Sequence, residues 1–164
     1  MDKFKVIYGS STGNTERAAR KIAAALGVEA LNVANATSAD FDAELLILGS
    51  STWGLGELQD DWSSRVHLLT PANLQGKRVA VFGTGDQSGF SDTFCDAIGI
   101  LATRAEEAGA LLIGQTSATG YLHTSSLAER AGFFCGLALD DDNQPEKTAG
   151  RITAWVEQLR SELK

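Results

Sequence analysis

The apolar residues of this chain fall in short, unbroken runs of strand length, and the stretches between them repeat at helical spacing. The runs are Phe4–Tyr8, Leu45–Leu48, Val79–Phe82, Leu111–Ile113 and Phe133–Leu139, with Ala30–Val33 a weaker candidate for an outer strand. A strand that is apolar at every position has no face left for water, which suits a parallel sheet covered on both sides. The intervening segments supply the cover. Phe94, Ala97, Ile98, Leu101, Ala102 and Ala105 recur at i, i+3, i+4, i+7, i+8 and i+11 and form one apolar stripe. Ala18, Ala19, Ile22, Ala23 and Leu26 mark an earlier helix closed by Gly27. Ala149, Ile152, Trp155, Val156, Leu159 and Leu163 mark a last one with Pro145 near its start. Strands alternating with helices predict an α/β fold, a parallel sheet with helices on both faces. Ligands of such sheets sit beyond the carboxyl ends of the strands, so the loops after the runs are the candidate site.

Size and charge narrow the function. A chain of 164 residues fits one domain, 1–164, and at this length folding buries about 70% of the unfolded surface. Fourteen bases against twenty-one acids leave a net charge of −7, which repels phosphate backbones and anionic lipid and argues against nucleic-acid or membrane-surface binding. No apolar run approaches the ~20 residues that span a bilayer, and Met1-Asp2-Lys3 does not open a secretory leader. Cys95 and Cys135 make neither a disulfide framework nor a metal knuckle and read as small buried hydrophobes. His67 and His123 stand alone, without the partners a metal site needs, and read as surface residues. The expectation is a soluble, cytoplasmic, monomeric protein.

The first loop, Gly9-Ser10-Ser11-Thr12-Gly13-Asn14-Thr15, lies between a strand and a helix. Its backbone N–H groups and hydroxyls form an anion site at a helix N-terminus without any cationic side chain. It is not a Walker loop, since no lysine follows Gly13, and Gly9 and Gly13 are spaced wrongly for a dinucleotide fingerprint. Gly9-Ser10 also stands where a receiver domain would carry acids. Two later loops each place an aromatic ring among glycines at a strand's carboxyl end. They are Ser51-Thr52-Trp53-Gly54-Leu55-Gly56 and the segment from Gly83 through Gly85-Asp86-Gln87 to Phe90 and Phe94. In the second, Ser88 is one place late for a hydrolase nucleophile elbow. A flat ring between Trp53 and Phe90, carrying a phosphate tail, fits that layout, and each stack adds about 0.5–1.5 kcal/mol beyond buried area.

These motifs resemble those of flavodoxins in order and spacing. The phosphate loop Ser10–Thr15, the tryptophan loop with its Glu57-Leu58-Gln59-Asp60-Asp61 tail, and Gly83–Gly89 carry the likeness. Gly136–Gln144 is similar to the closing signature of long-chain bacterial flavodoxins, which makes Thr116–Gly132 the loop that interrupts their fifth strand. The resemblance implies a doubly wound five-stranded sheet in the order 2-1-3-4-5, for which flavodoxin is the type example. It further implies FMN as cofactor, with the phosphate at Ser10, Ser11, Thr12, Gly13, Asn14 and Thr15. The flavin would lie among Ser51, Thr52, Trp53, Gly54, Leu55, Gly56, Gly85, Asp86, Gln87, Phe90 and Phe94. Trp53 and Phe90 would face the ring and Asp86 its pyrimidine edge. Gly54 matches the position whose peptide turns to offer a carbonyl to flavin N5 when one electron is taken up. Phe90 departs from the family, which usually has tyrosine there.

The implied function is a low-potential one-electron carrier, not an enzyme. Its partners would be redox proteins: a flavodoxin/ferredoxin reductase as donor and a low-potential acceptor enzyme. Three windows, 53–64, 79–103 and 131–146, hold ten of the twenty-one acids and none of the bases. One carboxylate ~10 Å from the ring opposes an added electron by roughly 70 mV at an effective dielectric constant of about 20. The same acids would steer toward basic patches on partners. The alternative, a flavodoxin-like NAD(P)H:quinone or flavin reductase, needs room for nicotinamide over a ring whose two faces Trp53 and Phe90 would cover.

Overall fold

The apolar runs become strands in the computed structural model, which describes residues 1–53 and 56–164. The chain opens with β1 (Asp2–Gly9), α1 (Asn14–Leu26), β2 (Ala30–Asn32), β3 (Ala43–Trp53), β4 (Glu57–Leu58), α2 (Asp60–Arg65) and α3 (Pro71–Leu74). It continues with β5 (Arg78–Thr84), α4 (Asp96–Glu107), β6 (Leu111–Leu112), β7 (Thr116–Ser117), β8 (Glu129–Arg130), β9 (Phe133–Phe134), β10 (Leu137–Leu139) and α5 (Pro145–Glu162).

The main sheet runs β2-β1-β3-β5, all parallel, and β6 and β10 both pair with β5. Leu111 opposes Arg78 while Leu137 opposes Phe82, so β6 and β10 are two halves of one fifth strand. The order is the doubly wound one expected. Alternate strand residues feed two cores. Val6, Leu45, Ile47, Ala80, Phe82 and Leu137 pack under α1 and α5 with Ile22 and Trp155. Ile7, Leu46, Leu48, Val79 and Val81 pack on the other face with Trp62, Phe94, Ile98 and Leu101. Burial on both faces is why these strands read as unbroken apolar runs.

The run Phe133–Leu139 is not one strand. Phe133–Phe134 belongs to a small antiparallel sheet, β7-β9-β8, and only Leu137–Leu139 joins the main one. Gly136 makes that transfer: a Cβ there would stand 2.0 Å from the Val81 carbonyl oxygen, closer than any side chain permits. Residues 113–136 therefore form an excursion from the fifth strand. It returns toward the carboxyl ends of the strands, where Thr124 and Ser125 N–H groups donate to the Ser91 carbonyl at 2.9 and 3.0 Å. The Leu122 N–H donates to Gln87 Oε1 at 2.6 Å. Behind these bonds Phe94, Tyr121, His123 and Phe134 form an aromatic cluster, with centroids 4.9–5.9 Å apart in the pairs Tyr121–Phe134, Phe94–His123 and Phe94–Phe134. His123 is thus not the surface residue expected: its side chain is 6% exposed and bonds Glu129. His67 is exposed. Phe94 precedes α4 rather than lying on it, and Cys95 and Cys135 are free and buried. Among the described residues no helix is long and apolar enough to cross a membrane.

Candidate functional site

Strands β1, β3 and β5 end at Gly9, Trp53 and Thr84, and a cavity of about 360 Å³ opens beyond the last two and the start of α1. Its lining joins residues from all three predicted loops. One end is Thr12 and Asn14; the walls are Ser51, Thr52, Trp53, Gly85, Asp86 and Phe90, with Phe94 behind them.

The first loop is built to leave N–H groups open. Gly13 takes φ 97°, a left-handed value that glycine adopts without strain, and its N–H donates to Ser10 Oγ at 3.1 Å. That turn starts α1 abruptly, and no side chain caps it. The first-turn N–H groups of a helix have no partner within the helix, and they carry the positive end of its dipole. Two other predicted residues of this loop bond within the protein. Thr15 is fully buried, its hydroxyl 2.7 Å from that of Thr84, and Ser11 Oγ accepts from Gln59 Nε2 at 2.9 Å.

The second loop continues β3 into a hairpin with β4, Thr52 opposing Leu58 and Trp53 opposing Glu57. The pairing holds Trp53 at the cavity edge, where its Nε1 donates to Ser51 Oγ at 2.8 Å. Gly56 is buried at φ 92°, against the Asp96 carboxylate. Gly54 and Leu55 lie outside the described residues, and with them the peptide-turning position assigned to Gly54.

In the third loop Asp86 closes a tight turn. Its Oδ1 accepts from Gly89 N–H at 2.8 Å, Asn143 Nδ2 at 2.8 Å and Ser88 N–H at 3.0 Å. The Gly89 bond and then the Asn143 bond hold this carboxyl below the ordinary 3.8, against the opposing effect of burial. Gln87 does not line the cavity. It is buried, with its N–H on Asp140 and its carboxamide turned to the excursion. Thr84, Thr93, Cys95 and Asp142 line the cavity without having been predicted. Thr84 was detectable as the polar end of an apolar run, whereas Cys95 is buried at a left-handed φ of 53°, which no local sequence signal marks. Burial pushes its thiol well above the usual range.

The acidic windows divide on inspection. Asp86 and Asp142 line the cavity, and burial, then Asp86, Asp140 and Asp141, raise the Asp142 carboxyl. Asp140 is instead fully buried and accepts from the N–H groups of Gln87 and Asn143 at 2.9 and 3.0 Å. Asp96 is also buried, accepts from the Leu127 N–H at 2.8 Å, and is raised by that burial. These two acids fasten loops rather than rim the mouth.

A pH effect follows from Asp86. Its folded value lies below its unfolded one, so the stability it contributes is present above about pH 4 and is lost as pH falls through the folded value. Asp86→Asn keeps an acceptor in place and removes the charge. Urea unfolding across pH 7 to 3 is expected to show a shallower acid loss in that variant; an unchanged slope would count against the turn's role.

The cavity joins donors at a helix N-terminus to two exposed rings, Trp53 at 39% and Phe90 at 58% exposure. The family model for flavodoxin matches residues 6–155. The chain belongs to the flavodoxin family. It is 46% identical to flavodoxin from Picosynechococcus sp., over 98% of this chain and 97% of that one. Flavodoxin 1 of Escherichia coli is 40% identical over 96% and 93% of the two chains. The crystal structure of Fusobacterium nucleatum flavodoxin bound to flavin mononucleotide has a TM-score of 0.92 at 30% identity, with 100% of both chains covered. Flavodoxins are electron-transfer flavoproteins that act with redox partner proteins rather than on a substrate of their own.

Proposed function

We propose that this chain is a low-potential one-electron carrier with FMN in the cavity at the carboxyl ends of β3 and β5. The observation that carries the reading is the pairing of two half-exposed aromatic rings with an uncapped helix N-terminus in one cavity. The residues fit the group. The orphan N–H groups of α1, with Thr12 and Asn14, offer neutral and dipolar donors to a phosphate. Trp53 and Phe90 offer apolar faces to a planar ring. Asp86, held ionised by three donors, would face the ring's polar edge.

Bound FMN supplies the chemistry of taking and giving electrons one at a time. The protein's own part is to fix the ring between Trp53 and Phe90, exclude water from its faces, and set the field around it. The Asp86 and Asp142 carboxylates disfavour added negative charge, which lowers the potential. Ser51, Thr52 and Thr84 put hydroxyls on the same lining.

The reading extends over 1–164 as one FMN-binding domain of the long-chain type, supported by the excursion 113–136 between the halves of the fifth strand. A soluble, monomeric, cytoplasmic protein is the form that suits it, with a flavodoxin/ferredoxin reductase as donor and a low-potential acceptor enzyme. The test is an anaerobic potentiometric titration of the purified protein after FMN addition. Uptake of FMN with two separate one-electron waves is the expected result. Steady NADPH oxidation by the protein alone would replace the reading with a reductase, and failure to take up FMN would end it.

A further inference from the structure

Arg17 is a base beside the phosphate loop, and its side chain runs back toward the helix start. Its Nη2 donates to Asn14 Oδ1. Its Nη1 stands 3.0 Å from where a Cβ on Gly13 would be, so the guanidinium covers the glycine that opens α1. The neighbouring acid does not compete for it: Glu16 accepts from the Tyr8 hydroxyl at 2.9 Å and pairs with Arg20 at 3.5 Å. Among the described residues Arg17 makes no ion pair. A guanidinium has five donors in a rigid fork that matches phosphate, and here Asn14 engages one nitrogen while others stay available.

We propose that Arg17 is a phosphate-binding residue, which makes this anion site cationic and lets it prefer FMN over riboflavin. The proposal rests on the cavity being an FMN site. Exposed ion pairs are ordinarily weak, because two flexible side chains must be immobilised together. Arg17 escapes part of that penalty, since Asn14, which lines the cavity, already orients it from just outside the lining.

The test measures dissociation constants of the apoprotein for FMN and riboflavin by flavin fluorescence quenching, at low and high salt, for the parent, R17Q and R17K. In the parent, FMN affinity is expected to fall as salt rises, while riboflavin affinity stays level. R17Q is expected to weaken FMN about five- to tenfold and to flatten its salt dependence, with riboflavin within about twofold. R17K should recover part of the loss by restoring the charge without the fork. Unchanged discrimination between the two flavins in R17Q overturns the role of Arg17 alone, as does an equal loss for both. A parent protein that binds neither flavin overturns the FMN reading itself and this proposal with it.

Discussion

Trp53→Ala is expected to weaken FMN binding about 30- to 150-fold, the equivalent of roughly 2–3 kcal/mol of lost ring contact. The indole is well placed to provide that much. It ends β3, is held in a hairpin by β4, and is oriented by its own bond to Ser51 Oγ at 2.8 Å. A ring fixed before binding loses little rotamer freedom on contact, so more of the contact energy appears as affinity. At 39% exposure the same ring contributes little to folding, and the apoprotein should lose under about 1 kcal/mol of stability. Trp53→Phe keeps a flat face but not the donor to Ser51 and should stay within about tenfold of the parent. Phe90→Ala should cost less than Trp53→Ala, because Phe90 is the more exposed ring at 58% and is smaller. Fluorescence titration of the apoprotein with FMN checks all three; Trp53→Ala within about threefold of the parent would remove the tryptophan from the ring-binding surface.

What the sequence made legible was what periodicity encodes. Residues such as Ile7 and Val6 are buried on opposite faces of one sheet, and that double burial writes an unbroken apolar run. The run Phe133–Leu139 shows the limit, since apolar character says that a segment is buried and not which sheet it joins. The transfer occurs at Gly136, where close approach to the Val81 carbonyl admits no side chain. The site followed the same division. Thr12, Asn14, Trp53, Asp86 and Phe90 were legible because each belongs to a loop whose glycines and strand boundaries are local signals. Gln87 falls outside the cavity lining because its partners, Asp140 and Leu122, come from distant segments. Asp140 counted only as one acid of the 131–146 window, and the fold surrounds it with donors. Asp142 and Thr93 reach the cavity through the path of their loops, which no spacing records.

The second large effect is on the scaffold under that tryptophan loop. Trp62→Ala is expected to lower unfolding free energy by about 3–5 kcal/mol, the usual range for removing a large buried aromatic. Trp62 is fully buried on α2, its Nε1 donates to the Gly49 carbonyl at 2.6 Å, and its ring closes against Gly9, where a Cβ would stand 2.7 Å from Cδ1. It therefore fastens α2, and the hairpin leading into it, to the end of β1 and to β3 at Gly49. Truncation leaves an indole-sized void and removes the indole's bond to the Gly49 carbonyl, two losses at one position. Domains of this kind are stable by about 5–15 kcal/mol, so the loss is a large fraction of the whole. Trp62→Phe separates the two terms: it keeps most of the volume, removes the bond to the Gly49 carbonyl, and should cost about 1–3 kcal/mol. Urea unfolding of the apoprotein gives both values. Because the hairpin carrying Trp53 is anchored through α2, Trp62→Ala should also weaken FMN at temperatures where the protein is still folded. Trp62→Ala within about 1 kcal/mol of the parent would mean that the loop is held from the excursion side, through Gly56, Asp96 and Leu127, rather than from the sheet.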